Sequence, residues 1–484
     1  MDIHTPDWVK NAVFYQIFPD RFAKSRRVFK PANLEPWDSL PTSQGYKGGD
    51  LLGVLEHLDH IQELGCTAIY FTPIFQSACN HRYHTHDYYQ VDPLLGGNAA
   101  LRELLEACHA RDMKVVLDGV FNHASRGFFP FNDILENGPY SAWIEWFTVE
   151  GWPLSPYDGS KPANYRSWVN NRALPCFNTD NPEVREYIMQ IAEYWLRFGI
   201  DGWRLDVPFE IETPGFWQEF RRRVKAIKPD AYIVGEVWHD ARQWLQGDQF
   251  DGVMNYLFAG PTIAFTAGSH VRPELGEGRS YEIAPPLIGM SYADKIDWLM
   301  RLYPWEIQLT QLNLLDSHDT ARMLSIASND RASVHLATLL MMCFPGAPSI
   351  YYGDEIGLPG ELDPDCRRTM PWDQPESWDQ ETLAYHKTLV TLRHEHSALR
   401  TGTFHRLYAD LDMYVFLRQN ENERVIVAVN VSNEPRRAIA PGTNLLPADA
   451  ALQLLYGTGS AGYDELGMFQ IELPARSGGV WGNA

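Results

Sequence analysis

Eight short runs of aliphatic, β-branched and aromatic residues punctuate the chain: AVFYQIF (12–18), TAIYFTPIF (67–75), KVVLDGVF (114–121), GIDGWRLDV (199–207), AYIVGEVW (231–238), FDGVMNYLF (250–258), LNLLDSHD (312–319) and PSIYYGDEI (348–356). Each has the length and composition of a buried strand. Between them the hydrophobic period lengthens to that of helices. Leu51, Leu55, Leu58, Ile61 and Leu64 predict one helix over 51–64, with Gly65 as its stop. Val184, Tyr187, Ile188, Ile191, Tyr194, Trp195 and Phe198 predict another over 184–198, with Asn181 able to cap it and Pro182 suited to its first turn. Helices are also predicted at 98–112 and 216–228. Eight strands alternating with helices predict a (β/α)8 TIM barrel with parallel strands. A doubly wound open sheet is the alternative, and no glycine-rich phosphate loop follows the first strand to favour it.

Two segments break the alternation. Residues 124–175 are too long for a bare loop and predict a small inserted domain after strand 3, rich in aromatics (FFPF, WIEWF, Trp152, Tyr157, Tyr165, Trp168), about half of them expected in its core. Residues 400–484, with LYADLDMYVFLR and RVIVAVNVS, carry strand-like patterns without helix-length repeats and predict a C-terminal antiparallel β-sandwich. The expected division is therefore 1–123 with 176–399 for the barrel, 124–175 for the insertion and 400–484 for the sandwich.

Composition narrows the function. The net charge of −21, from 41 basic and 62 acidic residues, gives no footprint for nucleic acid. The longest apolar stretch (334–352) is interrupted by Pro345, Gly346 and Pro348, so it reads as a buried helix and strand rather than a membrane span. The N-terminus lacks a long apolar core of the secretory type, and six scattered cysteines show no CxxC spacing, so free buried thiols and a cytoplasmic location are expected.

Three acids stand at the ends of predicted strands: Asp206 in DGWRLDV, Glu236 in YIVGEVW and Asp319 in NLLDSHD. In a parallel barrel these ends form one rim, where catalytic groups collect. Acids gathered there suit glycoside hydrolysis, which needs a proton donor for the leaving oxygen and a carboxylate on the other face of the sugar, about 5 Å away in a retaining enzyme. Arg204 shares a strand face with Asp206 and is expected to hold it ionised, although such a pair also serves as a structural salt bridge. Glu236, to act as acid, needs a raised pKa from burial or a like charge. His123 and His318 fall at two further strand ends, where neutral imidazoles hydrogen-bond sugar hydroxyls; metal ligation is the competing reading.

DGVFNH (118–123), GWRLDV (202–207), EVWH (236–239) and LLDSHD (314–319) resemble, in order and spacing, the four signature regions of the α-amylase family, and the likeness covers nearly the whole chain. It implies Asp206 as nucleophile, Glu236 as acid/base and Asp319 as transition-state stabiliser, with His123, His318 and Arg204 binding the sugar at the cleavage point and Tyr83 of HRYHTHDYY stacking beneath it. FYQIFPDRF, WFTV, LPCFNTDNPEVREY, GEVWHDARQWLQGDQFDGVMNYLF and YYGDEIG…DPDCRRTMPW are similar to the cyclomaltodextrinase, neopullulanase and maltogenic amylase group. That match implies Trp238 on the leaving-group side and Asp363 with Arg367 on the non-reducing side.

Departures from the group matter equally. Its full members carry an N-terminal domain that pairs protomers and covers the cleft, whereas the first predicted strand here begins near residue 12. The shortened form resembles debranching members, so an open cleft accepting long or branched glucans is expected, and any homodimer must form by another mode. The group's calcium site after DRF is replaced by AKSRRVF (23–29), whose Lys24, Arg26 and Arg27 repel a cation, so no calcium is expected there; Asn122 matches another amylase calcium position without a second ligand. No cofactor is expected. Pro208 and Phe209 stand where the group has a small residue and Asn, which bears on acceptor choice. The resulting expectation is a retaining hydrolase of α-1,4 and/or α-1,6 glucosidic bonds. A glucanotransferase or isomerase on the same scaffold is the alternative, and a non-catalytic binding protein disagrees with the intact set of three acids.

Overall fold

The computed structural model describes residues 3–440, 452–465 and 468–483; parts of the expected 400–484 sandwich lie outside the described residues. All eight runs contain a strand. These are β1 (Phe14–Ile17), β2 (Ala68–Phe71), β3 (Lys114–Gly119), β4 (Gly202–Leu205), β5 (Tyr232–Gly235), β6 (Gly252–Val253), β7 (Leu312–Asn313) and β8 (Ala347–Tyr351). They form one parallel sheet in the order β6-β5-β4-β3-β2-β1-β8-β7. A parallel bridge between Met254 and Leu312 joins its two ends and closes the barrel.

Registry along β3, β4 and β5 sets the site. Asp118 pairs with Arg204, and Leu205 with Gly235, so the residues that follow, Asp206 and Glu236, emerge side by side. Gly202 permits this close approach: a Cβ there would stand 2.4 Å from the Tyr232 carbonyl oxygen. Outside the barrel, helix Pro182–Phe198 begins as expected, with Asn181 accepting from the Glu183 N–H and Pro182 in the first turn, and ends at Gly199 in a positive-φ conformation (132°). Its inward stripe, including Val184, Ile188, Ile191 and Trp195, is fully buried in the main core.

Three elements differ from expectation. The single helix over 51–64 is two, Leu51–Glu56 and Leu58–Glu63, because His57 leaves helical geometry (φ −118°, ψ 15°) and turns its ring nitrogen back to the Gly53 carbonyl. The run 250–258 yields only two strand residues, since helix Tyr256–Thr266 starts within it; an apolar run of this kind does not distinguish strand from buried helix. The run 312–319 is strand only at its start. Beyond Asn313 its polar residues make a fixed loop: the Asp319 N–H donates to Ser317 Oγ, and the Ser317 N–H to Thr320 Oγ1.

Between β3 and β4, residues 124–175 carry helix Phe129–Asn137 and short 3-10 turns. Phe128, Phe131, Trp146, Phe147 and Tyr165 are buried there, whereas Phe129, Trp152 and Tyr157 are exposed. After the barrel, antiparallel strands β9 (Thr403–Ala409), β10 (Met413–Gln419), β11 (Arg424–Asn430), β12 (Arg436–Ala440), β13 (Leu452–Gly457), β14 (Ser460–Tyr463), β15 (Phe469–Leu473) and β16 (Ser477–Asn483) form two sheets, β9-β10-β11-β16-β13 and β12-β15-β14. Met413, Val415, Ile426, Phe469, Ile471 and Trp481 pack between them in a separate core. No described helix is long and apolar enough to cross a membrane.

Candidate active site

The strand ends converge on a cleft of about 480 Å³, lined by eight of the ten residues singled out in the sequence: Tyr83, His123, Asp206, Glu236, Trp238, Asp319, Asp363 and Arg367. Arg204 and His318 lie fully buried directly beneath them.

Arg204 organises the floor. Its Nη1 lies 2.8 Å from Asp118 Oδ2 and 3.1 Å from Asp206 Oδ1, while Nη2 contacts Glu236 Oε2 at 2.9 Å. One guanidinium thus bridges three carboxylates from three adjacent strands, using the planar fork that a lysine lacks. Asp206 leaves β4 with its N–H on the Gly119 carbonyl (3.1 Å), and Glu236 leaves β5 with its N–H on the Leu205 carbonyl (2.9 Å). Val207, at φ 35° and ψ 51°, adopts a left-handed conformation that is costly for a β-branched residue, and its N–H donates to Glu236 Oε2 (3.3 Å). Trp238 Nε1 donates to the other oxygen (3.0 Å), with its ring stacked on Tyr256 at a centroid distance of 3.6 Å.

Across the cleft, Asp319 contacts His318 Nε2 at 3.0 Å and Arg367 Nη2 at 3.3 Å. Arg367 also holds Asp363 (2.9 Å) and donates to the His318 carbonyl (2.8 Å). Gln16 Nε2 donates to His318 Nδ1 (2.8 Å), which places the ring proton on Nε2, facing Asp319 and the Tyr83 hydroxyl (2.6 Å). The Tyr83 hydroxyl donates a hydrogen bond to Asp118 Oδ2 (2.9 Å), with its ring parallel to His318. His123 stacks on Trp168 of the insertion, and its buried Nε2 has no protein partner.

Burial dominates the titration. Both histidines are pushed down to about 3 by desolvation, so they are neutral at ordinary pH. Glu236 is raised by burial and by the Asp319 charge against the pull of Arg204, as an acid requires. The expectation that Arg204 holds Asp206 ionised needs correction. Desolvation, with Glu236, Asp118 and Asp319 adding, outweighs Arg204 and leaves Asp206 well above the usual carboxylate range. Asp319 is the acid held low: burial raises it, but His318, Arg367 and Arg204 together prevail.

Metal ligation by His123 and His318 finds no geometry, because neither belongs to a cluster of three metal-competent side chains among the described residues. Asp50 is occupied as a helix cap, accepting from the Gly53 (2.7 Å) and Ser25 (2.9 Å) N–H groups, and pairs with Lys30 at 2.9 Å. Sequence reasoning missed Asp118, although an acid inside the apolar run KVVLDGVF was its signal. It also missed Gln16, whose link to His318 spans the barrel, Arg279, which lines the cleft without a motif, and His239, which lines it as the last residue of EVWH but was given no role; Phe209, noted for acceptor choice, lines the cleft too.

A closed parallel barrel with acids at its C-terminal rim and an insertion after the third strand is the architecture of an α-amylase-type glycoside hydrolase. The α-amylase catalytic-domain family matches residues 16–388, and the α-amylase C-terminal-domain family matches 402–481. The chain therefore belongs to the α-amylase family of glycoside hydrolases, which cleave α-glucosidic bonds. Among its relatives, a Bacillus cyclomaltodextrinase is 43% identical over 88% of this chain and 73% of its own, and neopullulanase 2 of Thermoactinomyces vulgaris is 42% identical over 90% and 72%. The crystal structure of the debranching enzyme from Nostoc punctiforme superposes with a TM-score of 0.92 at 62% identity, covering all of both chains.

Proposed function

We propose that this hydrolase acts on α-1,4- and α-1,6-linked glucans with retention of configuration, and that it removes branches. The observation that carries this reading is the Arg204 bridge: one guanidinium holds Asp206 and Glu236 on separate nitrogens, with Asp319 facing them across the cleft. Glu236, raised by burial, gives its proton to the glycosidic oxygen. Asp206, sharing the Arg204 guanidinium, attacks the anomeric carbon as an anion and forms the glycosyl intermediate, which water then releases with Glu236 acting as base. The proton that the crowding of acids favours on Asp206 in the free site leaves to solvent before the attack, and positive charge developing on the sugar ring then stabilises the Asp206 anion.

Asp319, held low, remains anionic and takes sugar hydroxyls; His318 donates from Nε2, and the unpartnered His123 Nε2 supplies a further polar contact. Tyr83 forms the platform under the ring, Trp238 the leaving-group side, and Asp363 with Arg367 the non-reducing side. The debranching part of the reading draws on the likeness to the Nostoc debranching enzyme along the full chain. We take 124–175 as one inserted unit between barrel segments 1–123 and 176–399, followed by a 400–484 sandwich. A cytoplasmic location agrees with six free cysteines and with relatives that include an intracellular maltogenic amylase of Bacillus subtilis.

Proton NMR of a branched maltodextrin during digestion tests the specificity. Early decay of the α-1,6 anomeric signal is expected. Decay of the α-1,4 signal alone refutes debranching, and new linkages without net reducing ends identify a transferase.

A further inference from the structure

One corner of the cleft carries chemistry that glycoside hydrolysis does not use. The segment between β2 and β3 makes a tight turn in which the Arg82 N–H donates to the Cys79 carbonyl (3.2 Å) and Arg82 itself is left-handed at φ 61°. The turn is fixed from below, because the Arg82 side chain is buried against Asp92 (3.0 Å) and the Asn80 carbonyl (2.7 Å). Its free side presents Cys79, His81 and His84, and one ligand atom from each lies within 4.8 Å of the other two. Among the described residues this is the group of three His, Cys or acidic side chains that meets such a limit.

From these ligands we infer a site for a single zinc-type divalent ion, at the lip of the active-site cleft, held by Cys79, His81 and His84. The Cys79 Sγ to His81 Nδ1 distance is 3.5 Å. Zinc–sulfur bonds of about 2.3 Å and zinc–nitrogen bonds of about 2.0 Å at a tetrahedral angle require an edge of about 3.5 Å. Three protein ligands with nitrogen and thiolate donors select zinc or its neighbours over calcium or magnesium. His81 and His84 both line the cleft, so the fourth position opens towards solvent and a water completes the shell. Sulfur–metal bond formation releases the Cys79 thiol proton to solvent. The nearby Arg367 charge, which opposes a cation, is neutralised by Asp363 and Asp319. Ser77 donates its hydroxyl to the His84 carbonyl at 2.7 Å and accepts the Cys79 N–H at 3.3 Å, which ties together the two ends of the segment that carries the ligands.

The consequence is inhibition. A metal on His81 Nδ1 takes the lone pair that accepts the Tyr83 N–H at 3.2 Å in the metal-free chain, so binding breaks that bond, and Tyr83 is the platform tied to Asp118 and His318. An ion on this turn narrows the cleft beside that ring and holds it away from sugar-binding adjustments.

The test uses the full chain, stripped with chelator and dialysed against zinc chloride. One zinc per chain is expected, and cobalt substitution should give a thiolate-to-cobalt charge-transfer band. Cys79→Ala, which does not line the cleft, should weaken zinc by on the order of 100-fold and make hydrolysis insensitive to zinc while leaving metal-free activity intact. Zinc should also protect Cys79 from iodoacetamide in the unaltered chain, where the other five cysteines are buried; this readout needs no variant to fold. Equal zinc binding by Cys79→Ala, a cobalt spectrum without the thiolate band, or alkylation of Cys79 unaffected by zinc would each overturn the site.

Discussion

Arg204 and Arg418 are both fully buried, and their surroundings keep them there by opposite means. Arg204 sits under the cleft against three carboxylates, and although desolvation lowers its pKa, Asp118 and Glu236, with Tyr70 and Tyr83 adding, raise it well above the ordinary guanidinium value. Arg418 sits where the sandwich meets the barrel and faces only carbonyl oxygens: Cys343 (2.8 Å), Leu399 (2.9 Å), Gly402 (2.9 Å) and Thr403 (3.2 Å). Burial, with neighbouring Arg393 adding, pulls it well below that value. Arg393 is itself pushed down to about 10 by desolvation and held by the Met342, Leu399 and Gly346 carbonyls. The difference separates two uses of buried charge. Dipoles satisfy the donors of a structural arginine and need not change during a reaction. Carboxylates around Arg204 create a cluster whose protonation and charge redistribute as a bond breaks.

The sharpest way to break the comparison is Asp206→Asn. An amide cannot form the glycosyl intermediate, so kcat should fall by about 10⁴-fold or more, with the thermal midpoint unchanged or raised because a crowded acid is gone. Steady-state rates and a melting curve on the same preparation check both. Next comes Arg204→Lys. The charge remains but the fork is lost, so kcat/KM should fall by about 10²–10³-fold, and a rate near that of the unaltered enzyme would show that charge alone suffices. Arg418→Met should behave in reverse. Its carbonyl partners lose their donors, lowering unfolding free energy by about 2–4 kcal/mol in urea titration while kcat stays the same; a loss of kcat with full stability would erase the distinction. The smallest effect is expected for Trp238→Phe. The Trp238 N–H favours charged Glu236, so removing it raises the Glu236 pKa further. The basic limb of the kcat/KM profile, where the acid loses its proton, should therefore move to higher pH by up to about one unit, with a rate change of a few-fold. A limb that moves down contradicts the assignment.

Much of this was legible in the chain. The eight strands announced themselves because parallel barrel strands are apolar on both faces, and the acids showed as polar residues at the ends of such runs. Element lengths were less legible: the run 250–258 reads as one strand, whereas β6 ends at Val253 and a helix begins at Tyr256, with Asn255 at its N-cap as the one mark of the change. The pairing of Arg204 with Asp118 and Glu236, and of His318 with Gln16, depends on strand registry and barrel closure, which adjacent letters do not encode. The titration of Asp206 was misread for the same reason. Its near neighbour in sequence is one arginine, whereas its neighbours in space include three acids.

The central claim is that Asp206 and Glu236 act as nucleophile and acid in a double displacement. The most direct test is proton NMR of the first sugar released from a maltodextrin, recorded before mutarotation. The account predicts that the α-anomer appears first and relaxes towards the equilibrium mixture. Initial release of the β-anomer would mean a single inverting displacement by water, and the assignment of Asp206 would be wrong.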